Sequence, residues 1–344
     1  MHAKKINTAD APPPHMQLIE MARGHWMSRI AYVAAELGLA DHLAEGPRNA
    51  TELAAATATH APSLYRLLRA LAGLGILAEN DRHEFSLTPI GEALRTGAPG
   101  SARATILTIA SDWWLSGFGQ LRYSVETGKS GFEKTLGMPL FDWLAQNPDQ
   151  ASLFSETMVG VHGMEPAAVA GSYDFSRFST IVDVGGATGH LLTTILRHHP
   201  EPRGILYDLP HVVRDAPRLI EACGMSARVS IEKGSFFDRV PNGGDAYLLS
   251  HIIHDWSEDQ CIAILRHCRQ VMRADSRLLL IEMVLPDDNA PHPGQILDLM
   301  MLVGPSGQER TEAEYRALLG KAGFQLNGVI PTGSPVSIVE AVML

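Results

Sequence analysis

The sequence of 344 residues holds 38 acidic and 28 basic side chains, which gives a formal net charge of −10. Its 45% hydrophobic and 19% charged residues are typical of a globular protein of about two domains and exclude a disordered or fibrous chain. The acidic balance argues against a protein that coats nucleic acid or anionic membranes, and no apolar run of about 18 residues predicts a membrane span. Three cysteines are too few for a disulfide framework, and without a signal-peptide pattern we expect a cytoplasmic protein.

The first half of the chain is predicted to be helical. Residues 1–14 form a polar tail that ends in three prolines, and we expect this tail to be disordered. From Met16 to about Gly171, apolar residues recur at spacings of three and four, the period of an amphipathic helix. Between residues 16 and 45 they exceed what one small domain can bury, which predicts an interface with a second copy of the chain.

Residues 51–87 have the pattern of a winged helix. Thr51 and Ser63 are predicted to cap two helices, and a turn-prone spacer at 80–82 separates two short strands. DNA binding is one function of such a fold. However, residues 1–100 hold nine basic and ten acidic side chains, whereas a DNA-binding face should be basic. A packing or dimerisation role is therefore favoured, with no nucleic-acid partner.

From Phe178 onward, short β-branched and aliphatic runs alternate with helical segments. This alternation predicts the α/β class, with a mostly parallel sheet and crossover helices. The last two strands leave no room for a helix between them and should pair antiparallel. The predicted strands cover residues 180–184, 204–207, 228–232, 246–250, 277–284, 324–330 and 336–343.

A glycine-rich turn follows the first of these strands. Residues 181–189 run from a strand into a helix, so that the backbone at Gly185, Gly186 and Gly189 can approach a ligand closely. Asp208 ends the second strand, where a carboxylate can bind both hydroxyls of a ribose. These features fit NAD, FAD or S-adenosylmethionine. The glycine spacing departs from G-x-G-x-x-G, which weakens the dinucleotide interpretation.

Further aromatic and polar side chains follow the later strands. Phe236 comes after the third strand, where an adenine could lie against it, and His254 comes after the fourth. Glu282 lies in an otherwise apolar strand, where a lone buried carboxylate is costly. Glu309 precedes a late helix. Because the ends of parallel strands share one edge of the sheet, we expect the histidine and the acids to converge on one crevice.

In combination, these segments resemble the S-adenosylmethionine-dependent small-molecule O-methyltransferases, the family of plant caffeic-acid, chalcone and isoflavone enzymes and of bacterial natural-product enzymes. The resemblance covers the chain from about Gln17. It implies a Rossmann-like methyltransferase sheet, mostly parallel with the last strand antiparallel, preceded by an all-helical domain that contains the winged helix. The motifs that carry it lie at residues 182–189, 207–210, 234–237, 254–256 and 308–311.

The resemblance also implies a division of the chain and an assembly. After the tail, residues 15–105 are expected to form a winged-helix dimerisation domain, and 106–172 a helical linker that contributes to the acceptor pocket. Residues 173–344 are expected to form the catalytic domain that binds S-adenosyl-L-methionine and leaves S-adenosyl-L-homocysteine as product. The expected partners are a second copy of the chain and a small aromatic acceptor, with no membrane.

The resemblance assigns roles to individual residues. His254 matches the histidine that deprotonates the acceptor hydroxyl, and Glu282 and Glu309 match the acids that flank and orient it. The residues expected to contact the cofactor are Gly185, Gly186, Gly189, Asp208, Gly234, Ser235, Phe236, Ser250 and Trp256. Those expected to contact the acceptor are Trp113, Phe154, Met158, His162, Met300 and Val303.

Three positions depart from the family pattern. Ala187 stands where a third glycine is common, and Ser235 stands where an aspartate usually binds the adenine amino group. Ser250 stands where plant members often have lysine. The two serines are expected to bear on cofactor affinity and not on methyl transfer.

We expect no metal site. Residues 287–289 are acidic and polar, but they lie in a loop rich in proline and asparagine, which we interpret as exposed to solvent. His251 and His254 are three residues apart, but zinc requires three or four convergent ligands. His251 is therefore predicted to be structural or to line the pocket, and the pair at 198–199 to be an exposed helix end.

The sequence thus predicts a metal-independent O-methyltransferase that acts on a phenolic or enolic hydroxyl of a small aromatic metabolite, such as a polyketide or a quinone. The leading alternative is a family member that uses the same cofactor for N-methylation, decarboxylation, hydroxylation or rearrangement. A ligand-sensing winged-helix regulator and a nicotinamide oxidoreductase are alternatives of other classes. Retention of His254, Glu282 and Glu309 favours methyl transfer.

Overall fold

A computed structural model describes residues 12–288 and 290–344. The predicted disordered tail lies, up to residue 11, outside these described residues, and Pro14 already begins the first helix. No helix in the described ranges is both long enough and apolar enough to cross a membrane.

The chain divides into two compact units, one helical and one built on a sheet. The helical unit comprises Met1–Leu115 and Asn147–Val161, and the sheet unit comprises Ser116–Gln146 and His162–Leu344. The segment interpreted as a linker, residues 106–172, is therefore shared between the two units.

Within the described residues, seventeen α-helices and twelve strands alternate with turns and three short 3-10 helices. In chain order, α1 to α17 are Pro14–Glu36, Leu39–Leu43, Ala50–Thr57, Ala61–Gly73, Pro89–Glu92, Arg103–Ile109, Asp112–Phe118, Leu121–Thr127, Gly131–Leu136, Leu140–Gln146, Pro148–His162, Glu165–Ser172, His190–His198, Ala216–Ala222, Glu258–Val271, Gly294–Val303 and Glu312–Ala322. In the same order, β1 to β12 are Arg48–Asn49, Leu77–Glu79, Glu84–Leu87, Thr180–Val184, Arg203–Asp208, Val229–Lys233, Ala246–Ser250, Arg277–Glu282, Val284–Leu285, Arg310–Thr311, Phe324–Pro331 and Ser337–Met343.

The helical unit contains the winged helix. Helices α3 and α4 follow β1 and precede β2 and β3, and the three strands form a small antiparallel sheet in the order β1-β3-β2. Leu53, Leu68 and Phe85 are fully buried in the apolar cluster of these elements. The hairpin of β2 and β3 is the predicted pair of short strands, with β1 as an additional edge that the sequence did not reveal.

Both predicted helix caps in this unit are wrong. Asn49, not Thr51, caps α3, because its side-chain oxygen accepts hydrogen bonds from the backbone N–H groups of Thr51 and Glu52. Helix α4 starts at Ala61, before the predicted cap Ser63. The intervening proline, Pro62, fits in the first helical turn, where its missing N–H would have no partner, so it belongs inside the helix.

The sheet unit has seven strands in the order β11-β12-β8-β7-β4-β5-β6. Strand β12 runs antiparallel to both of its neighbours, and the other pairs are parallel, as predicted. Six of the predicted strands agree with the observed bounds to within one residue. The strand predicted to reach residue 284 stops at Glu282, and Val284–Leu285 pairs instead with Arg310–Thr311.

The topology of this sheet defines where a ligand can bind. Strand β4 lies between β5 and β7. The chain adds β5 and β6 on one side of β4 and then adds β7 on the other side, so the strand order reverses at β4. In open α/β sheets, ligands bind at the carboxyl ends of the strands beside such a reversal. Both faces of the sheet are buried: for example, Val182 and Ile181 belong to separate apolar clusters on opposite faces. The crevice beyond β4 and β7 is therefore a rigidly supported candidate site.

Candidate active site

The turn after β4 can be built only with glycine at two positions. Gly185 has a φ of +75°, and a Cβ there would lie 2.5 Å from Cδ1 of Ile252. At Gly186, a Cβ would overlap the carboxylate of Asp183. Gly189, with a φ of +86°, is the N-cap residue that precedes α13. The turn therefore forms a narrow, backbone-lined cradle in which a ligand can approach the main chain.

Ala187 lies in this cradle with a left-handed backbone, at a φ of +49°. For an alanine this conformation costs about 1–2 kcal/mol, which explains why glycine suits the position. The N–H of Ala187 donates a hydrogen bond to Oδ2 of Asp208 at 2.9 Å, which offsets part of this cost.

Two acids lie beneath and beside the cradle. Oδ1 of Asp208 accepts a hydrogen bond from the Leu209 N–H at 2.6 Å, and burial raises the pKa of Asp208. Its carboxylate oxygens keep lone pairs that vicinal hydroxyls of a ribose could use. Asp183 is fully buried, and its oxygens have no hydrogen-bond partner among residues 12–288 and 290–344. Burial, with the nearby charge of Asp208, raises the pKa of Asp183 to about 7.

Aromatic rings gather beyond β6 and β7. The Trp256 ring centroid lies 4.8 Å from that of Phe237 and 6.0 Å from that of Phe236, both edge to face. Phe141 adds a tilted contact to Trp256 at 5.7 Å. Nε1 of Trp256 is buried and has no hydrogen-bond partner in the described part of the chain. An apolar group of rings with one free N–H donor suits a flat heterocycle such as adenine.

The remaining predicted cofactor residues lie at the same edge of the sheet. A Cβ at Gly234 would overlap the Tyr207 hydroxyl, so this position also requires glycine. Oγ of Ser235 accepts a hydrogen bond from the Phe237 N–H at 3.2 Å and so stabilises its own loop. Ser250 is the last residue of β7, next to the reversal in strand order.

His254 follows β7 in a 3-10 turn, Ile253–Asp255. Its side chain is only 8% exposed, and its Nδ1 lies 2.7 Å from Oε1 of Glu309. When Glu309 is ionised, Nδ1 carries the proton of this hydrogen bond and Nε2 keeps a free lone pair. Oδ1 of Asp255 lies 3.6 Å from Nε2. Burial lowers the pKa of His254, which leaves the ring neutral near pH 7.

Glu282 and Glu309 surround this imidazole in different ways. Oε1 of Glu282 accepts hydrogen bonds from the N–H groups of Ile252 and Ile253, at 3.2 and 2.8 Å, and Oε2 lies 3.7 Å from Nδ1 of His254. Burial and the charge of Glu309 raise the pKa of Glu282 well above its usual range. Burial also raises the pKa of Glu309, to about 7. Glu282 thus holds the backbone of the turn, while Glu309 contacts the ring itself.

The loop that carries Glu309 is fastened to the backbone of His254. A Cβ at Gly307 would overlap the His254 carbonyl oxygen, and the Gln308 N–H donates to the same oxygen at 2.9 Å. The Glu309 N–H donates to Oδ1 of Asp298 at 2.8 Å. Arg310 is buried and donates to the Ile253 carbonyl at 3.0 Å, so one cation lies within this group of acids.

Sequence reasoning missed several members of this group. Asp255 was within reach, because it directly follows His254. Arg310 was also within reach, because it follows Glu309 in the segment 308–311. Asp298 accepts a hydrogen bond from the backbone of that segment, and nothing in its spacing marked it.

A second group of titratable side chains lies next to His254. Oε2 of Glu165 accepts hydrogen bonds from Nδ1 of His162 at 3.0 Å and from Nε2 of His251 at 2.9 Å. Ring centroids are 3.8 Å apart between His162 and His251, and 5.3 Å apart between His251 and His254. Burial opposes ionisation of Glu165, but the two hydrogen bonds outweigh it and hold the pKa at about 2. Sequence reasoning considered both histidines separately and missed Glu165, which joins them.

Two sets of side chains in the described residues could hold a metal ion. One is His162, Glu165 and His251, and the other is His251, His254 and Glu282; within each set the candidate ligand atoms lie within 4.8 Å of one another. The expected absence of a metal therefore stays a prediction.

The other candidates for metal binding are peripheral. Asp287 and Asp288 are exposed, as predicted, and the third member of that loop, residue 289, lies outside the described residues. His198 is exposed at the end of α13, as predicted. His199 is half-buried instead, since its Nε2 lies 3.0 Å from the Ala170 carbonyl oxygen.

The predicted acceptor residues are distributed over both units. In the sheet unit, Met300 on α16 is half-buried, and Val303 is fully buried with its carbonyl oxygen bonded to the hydroxyl of Ser130 at 2.9 Å. In the helical unit, Nε1 of Trp113 donates to Oε1 of Gln150 at 3.0 Å. Phe154 and Met158 lie on α11 in the same unit. Contact of these residues with an acceptor stays a prediction.

Known proteins and protein families are similar to this chain over most of its length. Residues 118–325 match the O-methyltransferase domain family, and residues 19–97 match the O-methyltransferase dimerisation domain. A phenazine O-methyltransferase from Lysobacter antibioticus is 41% identical over 97% of this chain and 98% of that protein. The 3-amino-4-hydroxybenzoate 4-O-methyltransferase of Streptomyces cremeus is 40% identical over 91% of this chain and 86% of that protein.

A solved structure extends the similarity to the fold. The crystal structure of an N,N-8-amino-8-demethyl-D-riboflavin dimethyltransferase from Streptomyces davawensis has a TM-score of 0.85 at 34% identity, with 97% of this chain and 100% of that chain covered. The family therefore contains members that methylate nitrogen as well as oxygen. The matches confirm the predicted fold and activity, and they favour an enzyme over the regulator and the oxidoreductase. A similar O-methyltransferase from neocarzinostatin biosynthesis, 33% identical to this chain, was solved in complex with S-adenosylmethionine, which confirms the predicted cofactor. The chain belongs to the family of S-adenosylmethionine-dependent O-methyltransferases.

Proposed function

We propose that His254 is the general base for methyl transfer to the hydroxyl of a small aromatic acceptor. The observation that carries this proposal is the buried pair of His254 and Glu309, joined at 2.7 Å beside the reversal in strand order. A histidine with one nitrogen bonded to a carboxylate and the other free is the arrangement that makes imidazole an oriented base.

A side chain of this protein can take up the proton that the acceptor hydroxyl loses. His254 Nε2 would accept the acceptor's hydroxyl proton as the O–H bond breaks and the new O–C bond forms. The methyl–sulfur bond would break in the same step, and its electron pair would stay on the sulfur of the product S-adenosyl-L-homocysteine. A phenol has a pKa near 10 and an imidazole near 6.5, so transfer becomes favourable only as the oxygen gives up its electrons to the methyl carbon. Glu309 and Asp255 then stabilise the imidazolium through their negative charges, because both lie beside the ring, while Glu282 holds the backbone of the turn.

The cofactor fits the cradle after β4. Bound S-adenosylmethionine supplies an activated methyl group on a sulfonium. We assign its backbone-lined pocket to Gly185, Gly186, Gly189 and Gly234, and its ribose to the carboxylate of Asp208. The aromatic group of Phe236 and Trp256, with Ser235 and Ser250 at the adjacent strand ends, would hold the adenine. The unpartnered Trp256 Nε1 and the sterically required glycines support this assignment.

The acceptor is proposed to be a planar aromatic ring with a reactive hydroxyl. The relatives named for phenazine and aminohydroxybenzoate substrates support this class. We assign its contacts to Trp113, Phe154, Met158, His162, Met300 and Val303. An aromatic amine is the second candidate acceptor, because the riboflavin-related structure belongs to a nitrogen methyltransferase.

The protein is also proposed to act as a cytoplasmic homodimer. Helix α1 exposes large apolar side chains, among them Met21, Trp26 and Met27 at 73%, 56% and 44% exposure. Exposed apolar side chains in this number usually mark an interface, and residues 19–97 match a dimerisation domain. We assign residues 15–105 to this role, 106–172 to the acceptor pocket and 173–344 to the cofactor. Light scattering at micromolar concentration should give twice the chain mass, and a stable, fully active monomer would contradict the assembly.

A methyl-transfer screen tests the proposed activity. The enzyme is incubated with methyl-labelled S-adenosylmethionine and a panel of hydroxyphenazines, naphthols, hydroxyquinones and hydroxybenzoates, including 4-hydroxybenzoate and its 3-amino and 3-methoxy derivatives. We expect label on the oxygen of at least one phenol, with the position of the methyl group read by NMR. Label found only on aromatic nitrogen would favour the second candidate. No transfer to any acceptor, with the cofactor bound, would refute the proposal.

A further inference from the structure

The group of His162, Glu165 and His251 has an unusual hydrogen-bond pattern. Both imidazoles donate to one oxygen, Oε2 of Glu165, at 3.0 and 2.9 Å. His251 has a left-handed backbone, with a φ of +54°, and its N–H donates to the Ile281 carbonyl oxygen at 3.0 Å. The His162 ring lies against it, with a centroid distance of 3.8 Å. The position and orientation of the His251 ring are therefore fixed from three directions.

These contacts determine which nitrogen of His251 is free. Burial lowers the pKa of His251 to about 4, so the ring is neutral near pH 7 and carries a single proton. That proton lies on Nε2, because Nε2 donates to Glu165. Nδ1 is left with a bare lone pair, and it is buried without a hydrogen-bond partner in the described ranges. A ring flip would satisfy Nδ1 only by breaking the bond to Glu165.

We propose that Nδ1 of His251 binds a hydrogen-bond donor on the acceptor, so that the enzyme prefers aromatic rings with a hydroxyl or amino group next to the reacting hydroxyl. The inference rests on the proposed role of His254, since it is the 5.3 Å between the two rings that makes one substrate ring able to contact both. Neighbouring substituents on one ring can then each reach one imidazole.

The charge of the group excludes the opposite preference. Glu165 is ionised at neutral pH, because its pKa is held at about 2, and the attached His251 is neutral. An anionic substituent, such as a carboxylate next to the hydroxyl, would meet the Glu165 charge and a lone pair. The acceptor class that fits is therefore the vicinal aminophenols and catechols, and salicylate-type acids should be poor.

Three matched acceptors test this preference. The probes are 3-amino-4-hydroxybenzoate, which adds a donor, 3-methoxy-4-hydroxybenzoate, which adds bulk without a donor, and 4-hydroxybenzoate. We measure kcat/KM for each and, by calorimetry, binding of each to the enzyme saturated with S-adenosyl-L-homocysteine. We expect the 3-amino compound to exceed the 3-methoxy compound by about tenfold, the weight of one neutral hydrogen bond.

Variants separate recognition from intrinsic reactivity of the acceptors. His251→Phe keeps a flat ring and removes both nitrogens. The kcat/KM of the 3-amino compound should then be within about twofold of that of the 3-methoxy compound, while S-adenosyl-L-homocysteine still binds. Because phenylalanine disfavours a left-handed backbone, His251→Asn is the second variant; asparagine tolerates it, and its shorter side chain should also lose the preference. His198→Asn, on the exposed end of α13, is the matched control and should keep the wild-type ratio.

The outcomes separate this inference from the proposed function. Transfer to hydroxybenzoates with equal efficiency, or an unchanged ratio in the folded His251 variants, overturns the inference and leaves the role of His254 intact. No transfer to any acceptor of the wider panel refutes the proposed function, while the calorimetric ratio still tests the lone pair. Loss of activity with a chelator and recovery with Zn²⁺ would also overturn the inference, because the three side chains would then be metal ligands.

Discussion

Two buried histidine–carboxylate arrangements in the sheet unit have opposite protonation behaviour. Glu165 accepts hydrogen bonds from two imidazoles on one oxygen, and its pKa is held at about 2. Glu309 accepts one hydrogen bond from an imidazole, and its pKa is raised to about 7. Both carboxylates are largely buried. The number of donors, weighed against burial and neighbouring acids, therefore decides which of them stays ionised.

The difference suits two separate tasks. A permanently ionised Glu165 is a fixed anchor that sets the tautomer of its histidines across the physiological pH range. Glu309 can change protonation near neutrality and lies beside Glu282 and Asp298, so its charge responds when a proton reaches His254. This difference fits the roles proposed for the two groups, recognition of the acceptor by His251 and proton transfer by His254.

The largest effect is expected when the proposed base, His254, is removed. His254→Ala should lower kcat by about 10²–10⁴, the usual contribution of general-base catalysis, and should leave S-adenosylmethionine binding nearly unchanged. The loss should shrink at high pH, where a phenol ionises unaided. Single-turnover methyl transfer across pH measures both effects, with His198→Ala as the control. Wild-type turnover by His254→Ala near neutral pH would mean that the enzyme works by positioning alone.

The next test removes the charge of Glu309. Glu309→Gln should lower kcat by less than His254→Ala, on the order of tenfold, because an amide oxygen still accepts the Nδ1–H but cannot stabilise an imidazolium. In the wild type, the rate should fall as the pH drops through about 7 and Glu309 becomes protonated. In the variant this fall should move to lower pH, where only His254, with its lowered pKa, titrates. An unchanged pH profile would contradict the assignment.

In the free energy of unfolding, Glu165→Gln should have a larger effect than Glu309→Gln. The pKa of Glu165 is lower in the folded chain than the usual 4.5, so its contribution is present above pH 4.5 and is lost as the pH falls toward 2. Glu165→Gln should therefore lower the free energy of unfolding at pH 8 by about 1–3 kcal/mol. The pKa of Glu309 is raised, so ionisation destabilises the fold as the pH rises through about 7, and Glu309→Gln should be neutral or stabilising at pH 8.

Denaturant unfolding at pH 8 measures both changes. The two variants are each other's controls, because each replaces a buried glutamate by its amide. Equal destabilisation by the two variants would show that the number of hydrogen bonds a glutamate accepts does not explain the difference between Glu165 and Glu309.

The smallest expected effect comes from adding a carboxylate. Ser235→Asp should tighten S-adenosylmethionine binding by up to about tenfold, because a charged hydrogen bond to the adenine amino group replaces a neutral one. An aspartate can also accept the Phe237 N–H that Oγ of Ser235 accepts now, so the loop should keep its shape. Calorimetry that finds equal or weaker binding would mean that the adenine is held in another way.

Much of the sheet unit was predictable because its rules are local. The β-branched run before Gly185 and the apolar run before Ser250 specify strands by pattern, and connection length alone gives the antiparallel last strand. The convergence of His254, Glu282 and Glu309 also followed, since each is close to the end of a strand or enters beside one. In such cases, chain order and topology together fix the neighbourhood of a side chain.

The features that sequence reasoning missed depend on contacts between distant segments. Glu165 joins two histidines only because α12 is brought next to the turn after β7, a distance of 86 residues along the chain. The caps failed for a different reason. Asn49 and Thr51 are both good N-cap residues, and the helix starts at the one whose side chain can accept hydrogen bonds from the first free backbone N–H groups. Similar propensities cannot be ranked without the surrounding packing.

The overlap that any side chain at Gly307 would have with the His254 carbonyl oxygen has a consequence for engineering. The alignment of base and acid is built into the main chain, because the Gln308 N–H also bonds to that oxygen. Residues that face the acceptor can therefore be randomised without disturbing the catalytic pair. A library for new acceptors should vary Met300 on α16 and keep Asp298 and Gly307 constant, so that selection changes the substrate range while the contact between His254 and Glu309 is kept in every member.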